Sequence, residues 1–423
     1  MTAHYKTLVL QGGGALGAYQ AGAFEALAAE NMSPDWVIGT SIGAINGAII
    51  AGNEPSRRAA RLREFWDMAS APHWPWQGLQ HLTTHLPPAF SSWAETLRTL
   101  PYLASGVPGF FTPRAGALSM AAARLPLAAP SFYDTTALGK TLEQLVDFDY
   151  LNERHPRYTA CAVDVDSGER ADFDTGAIVV DARHVMASGA LPPGFPFVEI
   201  DGRRYWDGGM YSNTPIDLAL EASLERDLAC IMIDLWNPCD IAAPGSFGDI
   251  ATRQKDIIYA SRVKEHLRRH RDSQDLRRAI HSLSDLLPPE VRDSAAVRAI
   301  LDKGQQHSIH VARLMMPPLP GDGEAKDIDF SRDVVEARWQ LGLRDGKRLV
   351  AHQDWLAPLP AGVGMRVHTL PTLTAEGEAA GDPTEQAPAP PRAAGIGPKA
   401  GKVKEATVVP IAVAARTRKP RAR

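Results

Sequence analysis

The chain has 423 residues, 44% of them hydrophobic, and a formal net charge of -4. That is enough for one large or two ordinary globular domains with a sizeable core, and no stretch reaches the roughly 18 apolar residues of a membrane-spanning helix. The charge is unevenly placed: from 387 to 423, nine Lys or Arg stand against Glu405 alone, so a basic tail follows an acidic body.

The first residues, M-T-A-H-Y-K-T-L-V-L-Q-G, show no apolar run ahead of a cleavage site, so no signal peptide is expected. Cys161, Cys230 and Cys239 are odd in number and lack CxxC spacing, which argues against a disulfide framework or a zinc site. A reducing, cytoplasmic location is expected, with any membrane contact peripheral.

Residues 7–10 read as a short buried strand. The glycine run Gly12, Gly13, Gly14, Ala15, Leu16, Gly17 follows, then a helix-compatible stretch over 18–30. Backbone amides converge at such a strand–loop–helix junction on a point that welcomes negative charge. Beside a plain packing turn, two uses compete for it. Gly12, Gly14 and Gly17 fit the dinucleotide pattern GxGxxG, but the next strand, 36–38, ends at Gly39, Thr40 and Ser41 with no carboxylate for a ribose, and Asp35 precedes it. The other use is an oxyanion hole.

The second strand leads into G-T-S-I-G, with Gly39 and Gly43 flanking Ser41, and an apolar helix over 42–51. A sharp strand-to-helix turn strains the central serine and leaves no room for side chains at its flanks. A right-handed crossover sets the two strand ends side by side, so glycine loop and serine are expected to meet in one crevice.

Residues 57–69 form a helix. From 71 to 130 the text turns aromatic and proline-rich, with Trp74, Trp76, Trp93, Tyr102, Phe110 and Phe111. This is read as an insertion over the crevice: an apolar cap for acyl chains, or ordinary packing of a long loop. Helix is expected over 131–145 and 181–189, strands over 158–165 and 178–180, and a hairpin of 198–200 with 204–206 turned at Asp201-Gly202. The hairpin delivers Asp207, Gly208 and Gly209. A helix from 216 and a strand over 229–235 close the α/β domain; 236–248 is a Pro/Gly-rich linker. Helices follow over 249–271, 272–286, 290–303, 330–343 and 344–356, with an edge strand over 307–315. From 371 onward Pro, Ala, Gly and Thr dominate, and the segment is expected to be disordered.

A serine hydroxyl needs a base within hydrogen-bond reach. The histidines after Asp207 (His266, His270, His281, His307, His310, His352 and His368) all fall in the later helical region or tail, so a Ser-His-Asp triad fits poorly. A carboxylate acting alone suffices if burial raises its basicity. Asp207, ending a hairpin beside two glycines, is placed for that; a tight D-G-G turn is the plainer alternative.

In order and spacing, G-G-G-A-L-G at 12–17, G-T-S-I-G at 39–43 and D-G-G-M-Y-S-N-T-P at 207–215 resemble the patatin-like phospholipase family, over roughly 6–235. The segment A-S-G-A-L-P-P-G-F-P at 187–196 looks like the family too. The resemblance implies an α/β fold: a three-layer sandwich around a mainly parallel sheet. It implies a serine hydrolase of acyl lipids with Ser41 as nucleophile, Asp207 as general base and the amides of Gly12, Gly13 and Gly14 as oxyanion hole. Gly17, Gly39, Gly43, Gly208 and Gly209 are motif support, and no metal or cofactor is called for. Many bacterial relatives have Arg two residues after the third glycine, where this chain has Leu16. The stretch 249–356 is similar to a mostly helical extension behind some bacterial patatin-like domains. An acyl lipid is the expected partner, nucleic acid is not, and a nucleotide-binding protein or a silent lipid-binding scaffold are the competing readings.

Overall fold

The computed structural model describes residues 4–71, 91–115, 131–153, 155–222, 226–237, 247–360 and 362–370. Trp74, Trp76, Cys239, most of the expected linker and the tail from 371 lie outside them.

The first half alternates strand and helix: β1 (Tyr5–Leu10), α1 (Ala18–Ala29), β2 (Trp36–Thr40), α2 (Ile42–Ala51) and α3 (Arg58–Ala69). Every residue of α2 is buried, as a helix apolar all round must be. The insertion contributes α4 (Ser91–Ser105) and a two-stranded ribbon of β3 (Thr112–Pro113) and β4 (Tyr133–Asp134). Next come α5 (Thr136–Leu145), where the Asp134 carboxylate accepts the Thr136 N–H at 2.8 Å, and α6 (Phe148–Asn152). Strands β5 (Arg157–Asp164) and β6 (Arg170–Asp174) precede α7 (Ala182–Ser188), whose N-cap Asp181 forms a capping box with His184. Strands β7 (Val198–Ile200) and β8 (Arg203–Asp207) form the expected hairpin, with Asp201 and Gly202 both left-handed at φ 51° and 77°. Then α8 (Ile216–Ala222) and β9 (Leu228–Asp234) follow. Residues 178–180 are not a strand; β6 is, and its text R-A-D-F-D alternates too weakly to announce itself.

The domain does not close at 235. After the single 40-residue helix α9 (Phe247–Leu286) and the short α10 (Pro289–Arg292) and α11 (Ala295–Leu301), β10 (Ile309–Met315) pairs in parallel with β9. Helix α12 (Arg332–Ala351) then leads to β11 (Met365–Thr369), which pairs with β10 and is the edge in its place. The extension is therefore part of one nine-stranded sheet, ordered β11-β10-β9-β1-β2-β5-β8-β7 with β6 on β5. Pairing is parallel from β11 through β5 and antiparallel at the β5–β8–β7 and β5–β6 junctions.

Strand side chains alternate between two apolar layers. Leu8, Leu10 and Val37 pack with α1, α2, α3 and α12; Val9, Trp36 and Ile38 pack with Ile216 and Leu220 of α8 and Val263 and Leu267 of α9. That is the three-layer α/β/α sandwich the resemblance implies.

Helices α1 and α12 cross with their backbones almost touching: a methyl at Gly342 would overlap the Tyr19 carbonyl, and one at Gly22 the Trp339 carbonyl. The Tyr19 hydroxyl donates to Asp345 at 2.9 Å and Arg63 lies 3.7 Å over the Trp339 ring. Gly342→Ala is expected to cost about 1–3 kcal/mol through overpacking, read as a lower urea midpoint at unchanged slope; an unchanged midpoint would show the crossing to be loose.

Candidate active site

Register explains how two motifs 166 positions apart meet. Thr40, the last residue of β2, pairs with Cys161 of β5, and Asp207, the last residue of β8, pairs with the adjacent Ala162. The two strands reach neighbouring positions on one ruler, so Ser41 and Asp207 leave the sheet at the same place.

Ser41 sits on a strained elbow, φ 56° and ψ -125°. The turn is possible because a side chain at Gly39 would overlap the Gly43 carbonyl, and one at Gly43 the Leu10 carbonyl. The Ser41 N–H is held at 3.1 Å by the carbonyl and by the hydroxyl of Ser188, whose hydroxyl in turn donates to the Cys161 carbonyl at 2.6 Å. Ser41 and Asp207 both line one cleft, and the Ser41 side chain is close enough to favour the ionised form of Asp207.

Asp207 is 2% exposed, and its N–H donates to the Ala190 carbonyl at 3.1 Å. The Gly209 N–H donates to its Oδ1 at 2.7 Å. Burial raises its pKa to about 6, against the lowering effect of the nearby Ser41 side chain and of the Gly209 N–H. Desolvation wins, leaving a carboxylate more basic than an exposed one yet still ionised at neutral pH.

The glycine loop borders the same cleft, but its three glycines are not equivalent. The Gly12 N–H donates to the Asn213 carbonyl at 3.1 Å, while the Gly12 carbonyl accepts from Asn213 Nδ2 at 3.0 Å and Trp236 Nε1 at 2.8 Å. Gly12 is thus clasped on both sides, and its amide is not free for an oxyanion. Among the described residues the Gly13 and Gly14 amides have no acceptor, and both line the cleft. Leu16 is fully buried in the core, and Gly17 packs against Ile42 and Trp66.

The cleft, about 270 Å³, holds Ser41, Asp207 and Gly12–Gly14 at its polar end. Phe110, Phe111, Tyr133, Phe195 and Phe330 line the remainder, with ring centroids 4.8–6.1 Å apart where they touch. Of the insertion, Leu103, Phe110 and Phe111 are among the described residues that line the cleft. No histidine is among the described residues lining it; His266 lies elsewhere, 2.7 Å from Asp217. The dinucleotide reading finds no support in so apolar a crevice.

A family model described as patatin-like phospholipase matches residues 8–220. The chain belongs to the patatin-like phospholipase family. It is accordingly a hydrolase acting on ester bonds. A second model, described as patatin phospholipase, matches 257–362, the extension of this patatin-like chain. Among solved structures, VipD from Legionella pneumophila is similar at 13% identity, covering 80% of this chain and 67% of that one with a TM-score of 0.32. The ExoU–SpcU complex from Pseudomonas aeruginosa is similar at 15% identity, 85% and 73% coverage and a TM-score of 0.22. Nothing about substrate follows from likeness at that level. No curated protein matches the chain. No helix among the described residues is long and apolar enough to cross a membrane.

Four contributors were not singled out from the sequence. Ser188 and Asn213 lie inside segments quoted for their resemblance, without a role attached. Trp236 stands two residues after the end of β9, in what reads as linker. Gln11, just ahead of the glycines, accepts the Trp236 N–H at 3.0 Å and donates to the Thr214 hydroxyl at 2.8 Å, tying loop to walls.

The raised Asp207 pKa has a sign that can be checked. Its folded value lies above the ordinary 3.8, so the native state holds the extra proton and Asp207 opposes folding increasingly as pH rises from about 4 to 6. Asp207→Asn is expected to raise unfolding free energy at pH 8 by on the order of 2–3 kcal/mol and to give no gain near pH 4. A mutant equally or less stable at pH 8 would contradict the desolvated carboxylate.

Proposed function

We propose that this patatin-like chain cleaves carboxylic esters of phospholipid or other acyl lipids by a Ser41–Asp207 dyad and an acyl-enzyme. The observation that carries the reading is that strand register brings Ser41 and the buried Asp207 carboxylate into one apolar cleft beside the Gly13 and Gly14 amides, which have no acceptor among the described residues.

Ser41 Oγ attacks the ester carbonyl carbon while its proton passes to Asp207. The carbonyl oxygen, now an anion, is received by the N–H groups of Gly13 and Gly14, each such donor contributing about 3–4 kcal/mol in the transition state. Asp207 returns the proton to the departing alcohol oxygen as the C–O bond breaks. Water then gives its proton to Asp207 and attacks the acyl-enzyme, and collapse returns that proton to Ser41 and frees the fatty acid. Gly12, its amide bound to Asn213, acts as the hinge pin of the loop rather than as a donor.

The aromatic walls suit an acyl chain, burying it at about 0.8 kcal/mol per CH₂. Leu103 and Leu191 border the cleft and are 41% and 39% exposed, which favours peripheral contact with a lipid surface at the mouth.

Ser41→Ala and Asp207→Asn are each expected to lower p-nitrophenyl ester turnover by at least about 10³-fold without loss of folding, and a fluorophosphonate probe to label Ser41 alone. Wild-type kcat/KM is expected to fall tenfold per unit below about pH 6, where Asp207 takes up its proton. Near wild-type turnover in either mutant rejects the dyad, and liposome binding without labelling favours a silent scaffold.

A further inference from the structure

The glycine loop is held from the far side by residues beyond 220. The main-chain carbonyl of Asp327 accepts the Ala15 N–H at 2.8 Å and fills the space a side chain on Gly14 would need. Gly14 is left-handed at φ 55°, and the Asp327 carbonyl braces the turn that holds the Gly13 and Gly14 peptides.

Asp327 is itself anchored. Its carboxylate accepts from Lys255 Nζ of α9 at 2.9 Å, and the same ammonium donates to the Glu324 carbonyl at 2.9 Å. The surrounding segment is bolted to α4 and α12. The Glu95 carboxylate accepts the Gly323 and Ala325 amides at 2.9 and 3.0 Å, Arg98 pairs with Asp329 at 2.8 Å, and the fully buried Arg338 with Asp322 at 3.0 Å. Its Asp327, Ile328 and Phe330 then line the cleft.

We propose that Asp327 is a positioning residue for ester cleavage, with Lys255 as its anchor, so that the part of the chain after β9 belongs to the catalytic apparatus. The inference rests on Gly13 and Gly14 being the oxyanion donors. Such donors stabilise a transition state only when aimed before the charge forms, and a misplacement of about 1 Å costs on the order of 10²-fold in rate. The Lys255 and Asp327 side chains are 32% and 21% exposed; a pair so placed contributes little to stability by itself. Its effect is to hold one carbonyl against one amide.

The test uses the full chain with Asp327→Ala, Lys255→Ala, the double variant and Lys255→Arg. The readouts are kcat and KM on a p-nitrophenyl ester, the rate of fluorophosphonate labelling, and the unfolding midpoint. Each alanine variant is expected to lose about tenfold or more in kcat with KM within about twofold, and labelling slows in parallel. The double variant loses no more than either single one, Lys255→Arg restores most of the rate, and midpoints stay near wild type. Variants with wild-type kcat, a loss confined to KM, additive losses, or a kcat loss that follows a lowered midpoint each overturn the positioning role. Those results with a normally labelled wild type leave the dyad standing. A wild type that the probe never labels at Ser41 removes the functional reading and this inference with it.

Discussion

A carboxylate withdrawn from water, with one backbone amide donating to it and a serine side chain nearby, is the interaction on which the rest of this structure depends. Burial of an ionised group opposes folding unless partners replace water, and Asp207 has only part of that replacement, from Ser41 and Gly209. The remaining cost is carried by the apolar core beneath: a wholly buried α2, strands packed on both faces, and a third helical layer. In the proposed mechanism the unfavourable term cannot be tuned away without losing function, because the desolvation that opposes folding is what would make the carboxylate basic enough to take a serine proton.

Holding such a group in place calls for many short contacts between distant parts of the chain. The motifs are not four separate features but one cross-braced unit. Asn213 clasps Gly12, Ser188 holds the Ser41 amide, the Ala190 carbonyl receives the Asp207 amide, and Cys161 receives Ser188. Most of these bonds involve main chain, whose position follows from strand register rather than rotamer choice. A shift of one residue in β8 against β5 would move Asp207 to the other face of the sheet and undo the site without changing any residue in it.

Much of this was legible in the residues. Strand, glycine loop and helix, the G-T-S-I-G turn and the Asp201-Gly202 hairpin each have local chemistry that permits few conformations, and each formed where expected. The reading against a histidine base rested on where the later histidines fall, in the helical region or tail, and no histidine is among the described residues lining the cleft. What was not legible was long-range. The sequence of β6 is half polar because it lies beside β5 outside the main strand path, and β10 is interior because α12 returns the chain to form β11 beyond it. Neither fact is written in the local pattern. The assignment of all three glycine amides to an oxyanion failed for a similar reason: the acceptor that removes Gly12, the Asn213 carbonyl, lies 201 positions away.

The boundary expected at 235 shows how a motif-based reading divides a chain that physics does not. All the recognisable chemistry lies before 220, so the eye stops there. Yet cutting after β9 would expose a fully buried strand along its whole edge, leave α1 without the helix packed against it at Gly22, and remove Tyr259, Ile328 and Phe330 from the cleft walls. A strand with unpaired main-chain groups and apolar side chains on both faces cannot remain as a surface. The later segment is thus needed first for the sheet, and because the glycine loop leaves that sheet beside β9, the same segment comes to rest against the loop. Its contact with the site follows from its place in the fold: parallel strands gather their C-terminal ends at one edge, and any strand added on that side brings its following loop to the same crevice.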